Sequence, residues 1–279
     1  MNHSVCLALI HNNNAKRNNY IRPKIDGMVR DLSKDISVIT AEISYQHDIR
    51  PHSFAMALMR DVMYRRLDRD WHRYRLLKPS LLIWDILRFA KASFIKYVIK
   101  YKSQGARWLK HSAIETIVTD KHIRAWNQFL DSGASFIICF EDDAMFLNDS
   151  SGRINKLLEQ LSQFDQEKHM YVDLAGGCEL EALKIDKLEE NRIESFRIYS
   201  KPVTNIACAY VINRKLAGTF INHLLLLPWL RLIGIDWLMN ALFIRSPGKQ
   251  AVCMHADPTI FKHGTATGDY ASWQATKTN

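Results

Sequence analysis

The sequence contains no C-x-x-C pair, no unbroken apolar run long enough to cross a bilayer and no glycine-rich phosphate loop, and each absence removes a class of protein. Its five cysteines (Cys6, Cys139, Cys178, Cys208 and Cys253) are an odd number, and most sit in apolar runs where a thiol behaves as a small hydrophobe. They are expected to be reduced, which points to a cytosol-like compartment. Residues 1–10 hold an apolar stretch of about five residues before Asn12-Asn13-Asn14, too short for the core of a signal peptide, so no export is expected. The most apolar later stretch, 221–244, is broken by His223, Pro228, Arg231 and Asp236, whereas a span needs roughly 20 nearly uninterrupted apolar residues. It is expected to form a pair of buried helices. Neither G-x-x-x-x-G-K-[ST] nor a G-x-G-x-x-G after the first apolar run is present, which removes P-loop and dinucleotide sites. Without a zinc-finger, homeodomain or RNP-type pattern, nucleic acid is not an expected partner.

What is present is an ordinary globular balance, 47% hydrophobic and 24% charged over 279 residues, enough for one large α/β domain spanning 1–279. The charge is unevenly placed. Residues 50–110 hold fifteen Lys or Arg against four acids, a net +11, while the whole chain carries only +9. A basic segment therefore sits on a slightly acidic body. It also contains Trp71, Trp84 and Trp108 at spacings that suit amphipathic helices. Two readings of this basic helical insertion stay open: a solvated structural face, or a surface turned toward anionic lipid or an anionic acceptor.

Apolar runs at 4–10 and 36–43 flank a basic, helix-compatible stretch, which reads as β-α-β. Residues 53–66 and 80–101 are helical by period, with Pro79 between them as a breaker. A helix over 112–130 is expected to start at Ser112, with Glu115 three residues on, and to stop at Gly133. Apolar runs at 136–140, 170–175 and 206–212, with a helix near 154–163, continue the alternation. The pattern predicts an α/β fold with an open, mostly parallel sheet covered by helices on both faces. Residues 257–279 read as a polar tail laid over the body.

The run at 136–140 is followed at once by Glu141-Asp142-Asp143. Three adjacent carboxylates repel one another, and ligands of open α/β sheets bind at the carboxyl ends of strands, where this triplet must lie. A divalent cation, Mn²⁺ or Mg²⁺, would neutralise the charge with oxygen ligands, although a solvated acidic turn or other metal-dependent phosphate chemistry also accounts for the pattern.

Several stretches resemble glycosyltransferase family 25, the bacterial lipopolysaccharide and lipooligosaccharide transferases of GT-A (Rossmann-like) architecture. These are the first strand with the polar turn that contains Arg17; His122-Ile-Arg-Ala-Trp126; FIICFEDDAMF at 136–146; ACAYVINRKL at 207–216; and Gly234-Ile-Asp236-Trp-Leu. Lys121 stands where that family has Ser before the His. The resemblance implies an inverting, metal-dependent transfer from a nucleotide-sugar donor, expected to be UDP-linked, to a glycan or glycolipid acceptor of the cell envelope. The reduced cysteines make a cytoplasmic protein the expectation, and the lipid-facing reading of the basic segment would place it peripherally on the inner face of the cytoplasmic membrane. A nucleotidyl or phosphoryl transferase and a non-catalytic glycan- or membrane-binding module are the rivals.

By that resemblance Asp143 is the direct metal ligand, Glu141 and Asp142 face the donor's ribose and base, and Arg17 belongs to the donor site. His263 is a candidate to complete the metal shell, with His255 as competitor, and Lys262 a candidate for the diphosphate. Asp236, at an expected helix start, can act as the catalytic base or merely cap its helix. Gly176 and Gly177 would let backbone approach the donor sugar, and Thr204 and Asn205 are candidates for the acceptor hydroxyls. His122 and Trp126, one helical turn apart, read as packing.

Overall fold

The computed structural model describes residues 4–34, 36–44, 49–70, 79–100, 102–176, 196–199, 203–204, 206–246 and 251–270. Gly177 and Asn205 lie outside them, as do Trp71 and residues 271–279 of the expected tail.

Seven strands form one sheet in the order β2-β1-β3-β7-β5-β8-β6. They are β1 (Ser4–His11), β2 (Ser37–Ser44), β3 (Phe136–Glu141), β5 (His169–Asp173), β6 (Phe196–Tyr199), β7 (Ala209–Asn213) and β8 (Ala251–Ala256). Five of the seven strands share one direction, and β7 and β6 run against them, so the expected mostly parallel open sheet is present. The expected strand at 206–212 is the reversed β7, seated between β3 and β5. Its reversal brings the start of β7 to the same edge as the ends of β1 and β3, where the Glu141 N–H donates to the Cys208 carbonyl at 2.8 Å.

The period of two along the central strands divides the interior. Cys6, Ala8 and Ile10 of β1, with Ile137 and Cys139 of β3, point to one face and pack under α4 (Lys102–Ser132), α6 (Arg214–Leu226) and α7 (Ile235–Arg245). Val5, Leu7 and Leu9, with Phe136, Ile138 and Phe140, point to the other face, covered by α1 (Ala15–Leu32) and α5 (Ser150–Gln163). Helices thus cover both faces, which is why β1 and β3 read as continuous apolar runs. The outermost strand β2 instead alternates in exposure. Helix α5 buries Ile154, Leu157, Leu158 and Leu161, a one-faced stripe at helical spacing. Asn213 ties β7 to β5: its Oδ1 accepts the N–H of Met170 and of Leu216, and its Nδ2 donates to the Lys168 carbonyl.

The basic insertion is helical, as expected, with two differences. Pro79 opens α3 (Pro79–Ser93), where its missing N–H costs nothing, instead of merely separating two helices. The helix α3 continues into a π-helical turn, Phe94–Lys100. The helix expected from Ser112 begins earlier, at Lys102, because residues 102–111 contain nothing that stops it. Ser112 is therefore interior to α4, with its Oγ on His52 Nδ1 at 2.9 Å, and the helix ends as expected at Gly133, which takes a left-handed φ of 76°. The apolar stretch at 221–244 yields α6, a 3₁₀ turn Pro228–Leu232 and the largely buried α7, but Leu225 and Leu226 of α6 are exposed. Among the described residues no helix is long and apolar enough to cross a membrane. Residues 257–270, expected as part of a tail, instead add β9 (Phe261–His263), paired antiparallel to β4 (Ala144–Phe146), and the single turn α8 (Gly264–Thr267).

Candidate active site

A cavity of about 350 Å³ opens at the carboxyl ends of β1 and β3. The end of β1 supplies His11 and Asn12, α1 supplies Arg17, and the turn after β3 supplies Glu141, Asp142 and Asp143. The start of β7 contributes Ala207 and Cys208, the first turn of α7 contributes Asp236, and the β9–α8 corner contributes His263 and Thr265. Tyr64 from α2 (Phe54–Asp70) and Glu115 and Lys121 from α4 close the remaining side. The insertion is therefore part of the cavity wall.

The three acids divide the work of charge neutralisation. Asp142 is held by Arg17, whose Nη1 lies 2.6 Å from Oδ1, and by the Asn12 N–H at 3.2 Å from Oδ2. Glu141 accepts from His122 Nε2 at 2.9 Å. Burial opposes its ionisation, but the His122 hydrogen bond and the neighbouring positive charge hold its carboxyl below the usual range. Asp143 has its Oδ2 bound by the Thr265 hydroxyl at 2.5 Å and faced by His263 Nε2 at 3.5 Å, while its buried Oδ1 has no hydrogen-bond partner among the described residues. Burial and then the adjacent Glu141 charge push the Asp143 carboxyl up.

His122 is fully buried and does more than pack. For Glu141 to accept, Nε2 must carry the proton; the Tyr210 hydroxyl then donates to Nδ1 at 2.8 Å and accepts from Trp126 Nε1 at 2.9 Å. Trp126, Tyr210, His122 and Glu141 thus form one directed chain that orients the carboxylate.

Ligand atoms of Glu141, Asp143 and His263 lie within 4.8 Å of one another. Two carboxylates and the orphaned Oδ1 suit an oxygen-seeking divalent cation. His263 fits less directly. Its Nδ1 accepts the Ala266 N–H at 3.0 Å as the cap of α8, which leaves the ring hydrogen on Nε2, the atom that faces Asp143. Coordination through Nε2 therefore requires the ring to give up that cap bond. The corner is held by Gly264, whose N–H donates to the Asp143 carbonyl at 2.8 Å, and a Cβ there would stand 2.9 Å from that oxygen.

Asp236 occupies the second residue of α7 and is half-buried, yet caps nothing: the capping residue is Gly234, without a side chain. The Asp236 carboxylate accepts the Ala207 N–H, and its buried Oδ1 has no hydrogen-bond partner among the described residues. Burial, reinforced by the Glu141 charge, pushes its carboxyl up to about 8.

The structure brings Arg17, Glu141, Asp142, Asp143, Asp236 and His263 together around one cavity. It does not bring in Lys262, Gly176, Thr204 or His255. Lys262 is exposed, since strand alternation turns it away from the side His263 takes. Gly176 has a left-handed φ of 62° and donates its N–H to Asp173 Oδ1 at 2.8 Å; it closes a turn where a Cβ would meet Thr259. Thr204 is buried, its backbone exchanging hydrogen bonds with the Asn240 side chain. His255 lies buried against Asp173 and Cys253. None of these four lines the cavity.

Lys121, Tyr64, Glu115 and Thr265 were missed from the sequence. Lys121 reaches the His11 carbonyl, and burial lowers its pKa against the opposing pull of Asp142 and Glu141. Its place beside His122 was the available signal. Glu115 read as a helix-cap partner, but its Oε2 accepts from Arg60 and Tyr64, both at 3.0 Å.

No family model matches the chain. Over 139 residues it is 24% identical to the lacto-N-neotetraose biosynthesis glycosyltransferase of Neisseria meningitidis serogroup B, an alignment covering 49% of each chain. The alignment thus spans about half the length of that relative, and it makes the chain a distant relative of a glycosyltransferase.

Proposed function

We propose that this chain is an inverting glycosyltransferase that moves a sugar from a nucleotide-sugar donor to a cell-envelope glycan acceptor, of the lipopolysaccharide or lipooligosaccharide type. Membership of glycosyltransferase family 25 and a UDP-linked donor belong to the same proposal. One observation carries it: a half-buried carboxyl with a raised pKa, Asp236, shares a cavity with the Glu141, Asp143 and His263 cluster, a combination that suits both halves of a displacement.

Glu141 and Asp143, with His263 once its cap bond is exchanged, would hold a divalent cation, Mn²⁺ or Mg²⁺. Bound there, such a cation supplies electrostatic stabilisation of the leaving diphosphate. Arg17 and Lys121 add fixed positive charge on the same wall, and Arg17 also fixes Asp142 toward the donor's ribose. His122 keeps Glu141 ionised and aligned. On the α7 side, Asp236 accepts the proton of the acceptor hydroxyl as its oxygen attacks the anomeric carbon from the face opposite the diphosphate. No general acid is needed, because a diphosphate leaves as an anion.

The test is a panel of nucleotide sugars with purified chain and a truncated envelope glycan, with Mn²⁺ or with chelator. Cation-dependent transfer with inversion at the anomeric carbon, read by NMR, is the expected result. Retention of configuration would remove the single-displacement scheme and Asp236 as base. Nucleotide or phosphate transfer to the acceptor would favour the rival chemistry.

A further inference from the structure

We propose that the outer face of α3 and the π-helical turn after it is a docking surface for the interface of an anionic lipid bilayer. The face is apolar where a soluble surface is usually polar. Ile83, Trp84 and Leu87 of α3 are 61%, 71% and 58% exposed, and Val98 and Ile99 of the following turn continue the exposed stripe. Of the ten exposed large hydrophobic side chains among the described residues, seven fall within this one segment. Contiguous apolar exposure of this kind marks an interaction surface.

The opposite face of α3 is already used. Phe89 and Ala90 pack on Ala57, Leu58, Val62 and Trp108, and Phe94 meets Phe54 edge-on at 6.1 Å. Trp108 Nε1 donates to Asp61 Oδ2 at 2.8 Å, and Asp61 is in turn bound by Arg60. The apolar stripe is thus presented on a packed base, with its own side chains left outward.

Charge selects the occupant. Exposed Arg88 and Lys91 border the stripe, and the sequence of the segment carries fifteen Lys or Arg against four acids. A second copy of the chain docking on the same face would bring two such segments, each at net +11, against each other. Anionic headgroups instead complement the charge, while the large side chains enter the acyl boundary and the basic stems snorkel to the phosphates. The helix lies on the bilayer and does not cross it, since no described helix has the length and apolarity of a span. The docking does not depend on what the cavity binds.

The experiment uses vesicles of phosphatidylglycerol with phosphatidylcholine, vesicles of phosphatidylcholine alone, and the intact chain. Sedimentation should show partitioning at least about tenfold stronger to the anionic vesicles, weakening as salt shortens the screening length to about 8 Å at physiological ionic strength. Brominated lipid should quench tryptophan emission in the parent and less in Trp84→Phe. Combined Trp84→Ser, Leu87→Ser and Ile99→Ser should lower partitioning by about tenfold or more with an unchanged melting transition. The single Trp84→Ser, expected to lose part of that, serves if the triple variant folds poorly. Absence of partitioning, partitioning untouched by these substitutions, or self-association that they abolish without any vesicle binding would each overturn the proposal; the last would identify a second copy as the occupant.

Discussion

The Tyr64 hydroxyl accepts the backbone N–H of Gly234 at 3.0 Å and donates to Glu115 Oε2 at the same distance. One phenol therefore joins the basic insertion to the residue that precedes α7, two positions before Asp236. A Cβ on Gly234 would stand 2.4 Å from that phenol oxygen, so the contact requires glycine for its closeness and not for its φ, which is an ordinary −60°.

Gly234→Ala should displace Tyr64, loosen the start of α7 and lower turnover by about tenfold or more, because sub-ångström misplacement of a catalytic group is costly. Tyr64→Phe should leave the Gly234 N–H unpaired and cost about 1–2 kcal/mol in denaturant melts. In a Tyr64→Ala background the Gly234→Ala change should cost markedly less than alone, since the clash is gone. Additive losses would show that the two residues act separately.

Asp236 gives a pH signature of defined sign. Its carboxyl is raised from 3.8 to about 8, so the folded chain keeps a proton that the unfolded chain releases. This contribution to stability is complete below about 3.8 and is lost as pH rises through about 8. Asp236→Asn, which stays neutral, should therefore melt higher than the parent in chelator, by a margin that grows from pH 5 to pH 9. Transfer should fall by about 10² or more in the same variant with donor affinity nearly unchanged, and the parent's activity should rise with pH as the base ionises. A variant that is no more stable at pH 9 would show that Asp236 is not held protonated.

Asp143→Ala should remove cation-dependent activity and weaken Mn²⁺ binding measured by electron paramagnetic resonance, without loss of fold, because one of three adjacent acids has gone. Unchanged Mn²⁺ affinity would rule out Asp143 as a ligand.

Arg17 and Asp142 form a buried pair, with side chains 8% and 6% exposed. Arg17→Met should leave the buried Asp142 carboxylate without its ion-pair partner, the Asn12 N–H still donating to it, and destabilise the chain by about 3–5 kcal/mol. Adding Asp142→Asn should restore much of that stability and none of the activity, as read by melts and transfer assays on the same preparations.

The parts legible in sequence are those written in local pattern. β1 and β3 are buried on both faces and so appear as unbroken apolar runs, and Glu141-Asp142-Asp143 marks its own place at a strand end. The direction of β7 left no such mark, because a buried strand reads the same whichever way it runs. Tyr64 and Gly234 are 170 positions apart, and neither residue type announces the other. Lys262 and His263 are adjacent in sequence and were assigned to one site, but a strand's alternation separates them. The glycine at 176 suggested close approach to a ligand, whereas its N–H serves an internal turn on Asp173.

The Arg17 guanidinium and the Thr265 hydroxyl meet at 3.4 Å across 248 positions, and both lean on the same acidic turn. The cavity is thus sewn shut by two segments that lie far apart in the sequence. During synthesis, when folding proceeds from the N-terminal side, the sheet's first three strands can assemble long before the segment with His263 and Thr265 emerges. A nascent or prematurely terminated chain therefore acquires a folded body before the cavity's last wall, and closure of the cavity becomes a late event in the life of each molecule. Whatever the cavity binds would find it complete only after synthesis of the last described strand and turn.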